Sequence, residues 1–309
     1  MKQAGTIPCI VGAGLSIALF GTIAANPLPA ATPPIAAQNP RPAIELVRTA
    51  AANECSAAND AAAKHMFRSR KQTLQGSQTK LYVETREAMA GLTIAYNDQP
   101  LTPQQMQAEQ SRLAGLVGDP EQLRHKHSQE QETEERTLRI LKALPDAFLY
   151  EYDNAGNDGK DQGPWVRLKF RPNPEYHPPS RVEQILTGMQ GFLVIDRTAG
   201  RIATIDGTLF KQVGFGWGIL GYLDKGGHFL VEQREAGDGT WQISRMSLSL
   251  NGKILLFKNV VIKSDEVFSD FRLVPAGTTF AQGVAMLKAE DAKLAQVRAD
   301  GVRTDGSSH

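Results

Sequence analysis

Apolar and polar residues alternate with a period of two over much of the stretch from Met66 to Leu273, the pattern of strands with one buried face. Phe229, Val231 and Gln233 alternate with Leu230, Glu232 and Arg234, and Val166, Leu168 and Phe170 alternate with Trp165, Arg167, Lys169 and Arg171. Phe192–Ile195 and Ile202–Leu209 flank the polar, Gly-ended loop Asp196-Arg197-Thr198-Ala199-Gly200, which predicts one hairpin. His228–Arg234 and Trp241–Leu250 flank Gly237-Asp238-Gly239 and predict a second. Asn251-Gly252 readily takes the two positive-φ positions of a type I′ turn, so a third hairpin is expected there. It would set Leu250 opposite Lys253, Leu248 opposite Leu255 and Met246 opposite Phe257. Further strands are predicted over Met66–Gln72, Lys80–Arg86 and Leu92–Tyr96, the last ending in the turn Asn97-Asp98-Gln99-Pro100. About ten or eleven strands with no βαβ alternation and no repeat predict one antiparallel domain. Both faces carry apolar residues in places, so the sheet is expected to curve around something.

Helical periodicity occurs in three places. Ile44–Lys64 carries the stripe Ile44, Val47, Ala51, Cys55, Ala58 and Ala62. Thr102-Pro103-Gln104-Gln105 is a capping box with proline at the first helical position, and Asp119-Pro120-Glu121-Gln122 repeats the device after Gly118. Two starts predict two helices. From Glu121 to Arg136 only Leu123 is strongly apolar, whereas Leu138, Ile140, Leu141 and Leu144 close the segment before Pro145. A helix that projects at first and docks only at its end is expected, serving either as a lid or as a solvated spacer. Thr279-Phe-Ala-Gln282 opens the last helix, with a polar tail beyond Val297.

The ends and the charge narrow the class. Lys2, the uncharged apolar run Ile10–Ala25 and the small residues and prolines that follow have the layout of a secretory signal peptide over residues 1–25. Residues 26–42, rich in Ala and Pro, read as a tether, 43–297 as one domain with the helical insertion at 102–144, and 298–309 as a disordered tail. Export places the protein in the periplasm or outside the cell. In the 309 residues 41% are hydrophobic and the formal charge is +1, or zero without Lys2, so nothing electrostatic points to nucleic acid. Cys55 is left as the single cysteine after the leader, so no internal disulfide forms, and it reads as a small buried residue.

No stretch carries a catalytic signature. Gly216-Trp-Gly-Ile-Leu-Gly221 matches the dinucleotide fingerprint in letters, but it lies between antiparallel strands rather than between a strand and a helix. It reads better as a glycine-relaxed loop that displays Phe215, Trp217, Ile219, Leu220 and Tyr222, either toward an apolar cavity or membrane surface or inward as core. His125 and His127 are about 200° apart around a helix and cannot share a metal. Asp153–Asp161 does not fit a calcium loop in either register. No catalytic residue, metal or cofactor is predicted.

Several motifs together resemble a family of exported bacterial proteins of unknown function: Asn97-Asp-Gln-Pro-Leu-Thr-Pro103, Leu144-Pro-Asp-Ala-Phe148, Phe170-Arg-Pro-Asn-Pro174 with Pro178-Pro-Ser-Arg181, Leu223-Asp-Lys-Gly-Gly227 and Ser269-Asp-Phe-Arg272. At the level of the fold, a helix before the sheet and helices inserted after the third strand are similar to the LolA-like periplasmic lipoprotein carriers. The resemblance implies a mainly β, α+β protein: an antiparallel half-open β-barrel with packed helices. It also implies a non-enzymatic carrier or chaperone whose concave face holds an acylated or other apolar ligand, contacted by Phe215, Trp217, Ile219, Leu220, Tyr222, Met246, Leu248 and Phe257. The chain departs from the carriers in its long polar insertion, and no carrier arginine matches a position here. A lipid or lipidated ligand, or a cell-envelope protein, are the partners this reading allows, with membrane contact peripheral at most. The alternative is a structural or interaction module of the envelope whose barrel is filled by its own helices. A cavity that remains after the Ile44 and Thr279 helices pack separates the two.

Overall fold

The computed structural model describes residues 42–58, 63–153, 163–215, 221–254 and 258–305. The chain begins with α1 (Ala43–Ala58) and continues through β1 (His65–Thr73), β2 (Gly76–Val83), β3 (Ala90–Tyr96) and β4 (Gln99–Pro100). Two helices follow, α2 (Pro103–Gly118) and α3 (Pro120–Ala147), then β5 (Phe148–Tyr152) and β6 (Trp165–Pro172). After the short α4 (Arg181–Gln184) and a 3-10 turn come β7 (Met189–Asp196), β8 (Arg201–Leu209), β9 (Val213–Phe215), β10 (Gly221–Leu223) and β11 (His228–Glu235). The long hairpin β12 (Trp241–Ile254) and β13 (Lys258–Leu273) and the helix α5 (Phe280–Asp305) complete the chain. α5 therefore runs on past Val297, where a frayed tail was expected.

The strands form one large antiparallel sheet of thirteen members in the order β4-β3-β2-β1-β13-β12-β11-β8-β7-β6-β5, with β10 beside β12 and β9 beside β10. It is not closed into a barrel, since β4 and β5 are its two edges. The short β4, β9 and β10 account for the excess over the ten or eleven strands read from periodicity, because pieces of two or three residues show no alternation. Both hairpins predicted on either side of Asp196–Gly200 and of Gly237–Gly239 are present.

The third is not where the sequence puts it. Asn251 and Gly252 lie inside β12, paired with Val261 and Val260, so Leu250 faces Ile262, Leu248 faces Ser264 and Met246 faces Glu266. Gly252 serves a close approach instead of a turn. A Cβ there would lie 2.2 Å from the Tyr222 carbonyl oxygen, on the strand that pairs with β12 at this point. The two consecutive positive φ angles that a type I′ turn requires occur at Asn97 (49°) and Asp98 (62°), where β3 turns into β4. There the Arg70 guanidinium donates to Asp98 through Nε at 2.7 Å and Nη2 at 2.6 Å, which pins the turn to β1.

Cross-strand register shows how the sheet is used. Leu168, Leu193, Ile205, Val231, Met246, Glu266, Lys71 and Gln78 lie side by side across eight strands and so share a face. The row is buried and apolar at the β6 end and polar at the β2 end. On β2 the buried residues Leu81 and Val83 have the other parity and point to the other face. The sheet thus buries opposite faces at its two ends. At one end α1, the last turns of α3 and the turn Ile185–Gly188 cover β5–β9; at the other, α2 and α5 cover β1–β3.

The helices are anchored by few contacts of high value. α1 buries Ala43, Val47, Ala50, Ala51 and, unexpectedly, Glu54. The Arg201 side chain donates to Glu54 at 2.9 and 2.8 Å, and the Ile202 amide adds a third bond at 2.9 Å. That compensates a carboxylate whose burial would otherwise cost several kcal/mol. Glu54 therefore takes the buried stripe that the sequence assigned to Cys55; the thiol is half-buried, and burial pushes its pKa up. The helix does not reach Lys64, since Ala63 and Lys64 are irregular.

α2 and α3 start on the predicted caps. Thr102 and Gln105 form a reciprocal capping box, and Asp119 accepts from the Glu121 and Gln122 amides. α3 does not project at its start: Leu123 packs on the β1–β3 core, whereas Ile140, Leu141 and Leu144 pack on the β5–β9 core. About 1.5 Å per residue makes the distance from Leu123 to Leu144 roughly 30 Å, so one helix ties the two cores together. It also continues through Pro145 to Ala147, beyond the stop expected at Leu144.

Candidate functional site

A cavity of about 190 Å³ lies between the covering helices and the β5–β9 end of the sheet. Each wall follows from the local pattern. Ile140 and Leu144, one turn apart at the end of α3, form the roof with Ile185 and Leu186 of the 3-10 turn. Phe148, Tyr150 and Phe170 close one side, and Met189, Leu193, Ile205 and Leu209 form the floor. Phe229, Leu248 and Leu250 form the side toward the middle of the sheet. Gly207 lies in the floor for a steric reason: a Cβ there would stand 2.7 Å from Met189 Cε and 3.1 Å from the Phe229 ring.

The lining offers no convergent polar chemistry. The Tyr150 hydroxyl donates to the Leu144 carbonyl at 2.8 Å, and burial raises the phenol pKa, so the group stays neutral and satisfied. His228 touches the lining, but its imidazole Nε2 is 2.8 Å from Asp206 Oδ1 on the other face of the sheet. That face carries a shallow polar groove bordered by Glu151, Lys169, Arg171 and Thr208, with the Arg167 guanidinium 3.8 Å over the Phe192 ring. Among the described residues no cluster of three or more His, Cys, Asp or Glu could hold a metal ion.

An empty apolar space of this size is costly. At about 24 cal/mol per Å³ an enclosed void of 190 Å³ would forgo roughly 4–5 kcal/mol of packing, which is an upper bound for a space partly open to solvent. The space is partly open to solvent, and its apolar lining offers water that enters no hydrogen-bond partner.

Of the residues read from the sequence as ligand contacts, Leu248 lines the cavity. Phe215 packs against the core cluster that contains it. Met246 lies two residues along the same face of β12 and is exposed. Tyr222 is half-buried in β10, between Gly214 and Lys253. Trp217, Ile219, Leu220 and Phe257 lie outside the described residues, as does most of Asp153–Asp161. Phe215 and Gly221 bracket an antiparallel hairpin, so the glycine fingerprint lacks the strand-to-helix turn that dinucleotide binding needs. Sequence reasoning missed the roof: Ile140 and Leu144 were visible only as the end of a polar helix, and the short turn at Ile185 gave no periodic signal.

No protein-family profile matches the chain, and no curated protein matches it in sequence. Among solved structures it is similar to a crystal structure described as an outer membrane lipoprotein-sorting protein domain from Vibrio parahaemolyticus. The identity is 13%, the TM-score 0.26, and the match covers 74% of this chain and 91% of that one.

Proposed function

We propose that the protein is a non-enzymatic carrier or chaperone for an acylated or otherwise apolar ligand, acting after export in the periplasm or outside the cell. In this reading the open sheet works as a half-barrel. The observation that carries it is the apolar cavity that remains after α1, α3 and α5 have packed. Its 190 Å³ is smaller than the roughly 300–1,000 Å³ of pockets that enclose a drug-sized ligand. The ligand is therefore one whose apolar end enters beneath Ile140 and Leu144, while the remainder lies along the face that continues through Leu248 and Met246. Each methylene that enters contributes about 0.8 kcal/mol, so a short alkyl segment is enough to favour occupation.

The test is native mass spectrometry on protein purified from a bacterial periplasm without detergent, with uptake of a fluorescent fatty acid measured in parallel. A bound lipid mass, or uptake that is lost in Leu250→Phe, supports the carrier. A bare mass without uptake overturns it in favour of an envelope interaction module.

A further inference from the structure

The end of the sheet where β8, β10, β12 and β13 meet differs in charge from the rest of the molecule. Between Gly207 and Gly227, and between Ser247 and Lys263, the charged residues are Lys211, Lys225, Lys253, Lys258 and Lys263 against the single acid Asp224, in a chain whose net charge is only +1. Register brings them together. Lys253 pairs with Asn259 and with Tyr222, Lys258 pairs with Ile254, and the Asp224 amide donates to the Asn251 carbonyl at 2.8 Å. The Gly226 amide donates to the Leu209 carbonyl at 2.8 Å, which places the Lys225 turn beside the start of the Lys211 loop. Among the described residues none of the five lysines has a carboxylate within ion-pair distance. Elsewhere among the described residues Lys71, Lys126, Lys169 and Lys293 each have one, while Lys64, Lys80, Lys142 and Lys288, spread over the rest of the molecule, have none. It is their grouping that sets the five apart.

Two exposed apolar residues lie among these lysines. Val261 is 60% and Ile262 40% exposed, and as successive strand residues they point to opposite faces. Neither belongs to a core cluster, so among the described residues no core packs on this part of the hairpin from either side. An element that is apolar on both faces and fringed with unpaired lysines does not fit a groove on a partner protein. It fits insertion between the headgroups of a bilayer, with the lysines at the level of the phosphates.

We infer that this end of the sheet docks on an anionic lipid surface. The five lysines supply the attraction, at about 1 kcal/mol or roughly fivefold in affinity for each one near the surface, and Val261 and Ile262 supply the apolar contact. Leu209, Gly227 and Leu250 belong both to this end and to the cavity lining, so docking would bring the cavity next to the membrane. The inference goes beyond the carrier reading and does not depend on it, since a self-filled envelope protein could dock in the same way.

Cosedimentation of the purified protein with vesicles tests it, comparing phosphatidylcholine alone with a mixture holding about one-third phosphatidylglycerol. Binding is expected only to the anionic vesicles, and it should weaken with added salt. Lys253→Gln/Lys258→Gln/Lys263→Gln should lower it roughly 100-fold. Val261→Ser/Ile262→Ser should lower it as well, with an unchanged salt dependence. All five positions are on the strands β12 and β13 and outside both core clusters, so thermal unfolding should be unaffected; Lys211→Gln/Lys225→Gln, on separate loops, gives a second reading should the hairpin variants misfold. The cavity variant Ile140→Trp, on α3 and away from this end, should dock like the wild type while taking up less fatty acid, which separates this inference from the carrier. No binding to anionic vesicles, equal binding to neutral ones, or wild-type binding by the lysine variants would overturn it.

Discussion

At the β1–β3 end, α5 lays Phe280, Val284 and Leu287 against Leu81, Val83, Leu92 and Ile94, and Leu113 of α2 fills the remaining corner. At the β5–β9 end, the cover is assembled from α1, the last turns of α3 and a 3-10 turn, and it leaves 190 Å³ empty. The same sheet thus supports one filled core and one hollow core, on opposite faces. Successive apolar residues of α5 mesh with the sheet, whereas the cover assembled from α1, the end of α3 and a 3-10 turn leaves space between its parts. The hollow end binds its cover through a buried ion pair, Glu54–Arg201, whereas the polar ties at the filled end are less buried: Arg272 with Glu290 of α5, and the Thr93 amide donating to Glu109 of α2.

The comparison can be broken most severely at that ion pair. Arg201→Met should destabilise the protein by about 3–5 kcal/mol, because it leaves Glu54 buried without its cation. Urea unfolding would measure the loss, and uptake of an apolar probe should fall with it, since α1 belongs to the hollow core. Next in size, Leu287→Ala in the filled core should cost about 2–5 kcal/mol, as expected when a fully buried leucine leaves a cavity. Leu248→Ala at the hollow end should cost less than about 2 kcal/mol, because that side chain already faces empty space and lacks contacts on one side. Equal losses at the two positions would mean that the cavity closes in solution.

Filling the space sharpens the contrast in the other direction. Leu250→Phe should change stability by no more than about 1 kcal/mol, of either sign, while abolishing uptake of a fluorescent fatty acid. The smallest expected effect is a pH dependence where the hairpin Gly237–Gly239 meets β1. Hydrogen bonds from Thr240, and then from buried His65 at 2.7 Å, hold the Asp238 carboxyl at about 2. A depressed carboxyl pKa contributes stability that is complete above the ordinary value of about 3.9 and lost as pH falls through the native value. The melting temperature of the wild type should therefore fall between about pH 4 and pH 2 more steeply than that of Asp238→Asn.

Strands and caps were readable where they rest on local chemistry. Thr102 with Gln105, Asp119 ahead of Pro120, and Gly237–Gly239 each meet a requirement of the chain within a few residues. Asn251-Gly252 misled because the same residue pair serves two purposes. A glycine that permits a positive φ also permits a strand to pass close by, and only the presence of β10 beside β12 decides between them. The candidate site was partly visible, since Leu248 and the alternating Leu168 and Phe170 mark apolar faces. Its roof was not, because Ile140 and Leu144 acquire a role only when the long helix reaches from one core to the other.

Local sequence was enough for the longer antiparallel strands, two of the three expected hairpins and the starts of α1, α2, α3 and α5. These depend on side-chain period and backbone geometry, which act over a few residues. The tertiary structure alone decided which face of the sheet each end buries, that Glu54 and not Cys55 lies inside, and that a space remains under α3. Those outcomes depend on how separate elements meet. A void is set by the fit between covers that no local pattern describes.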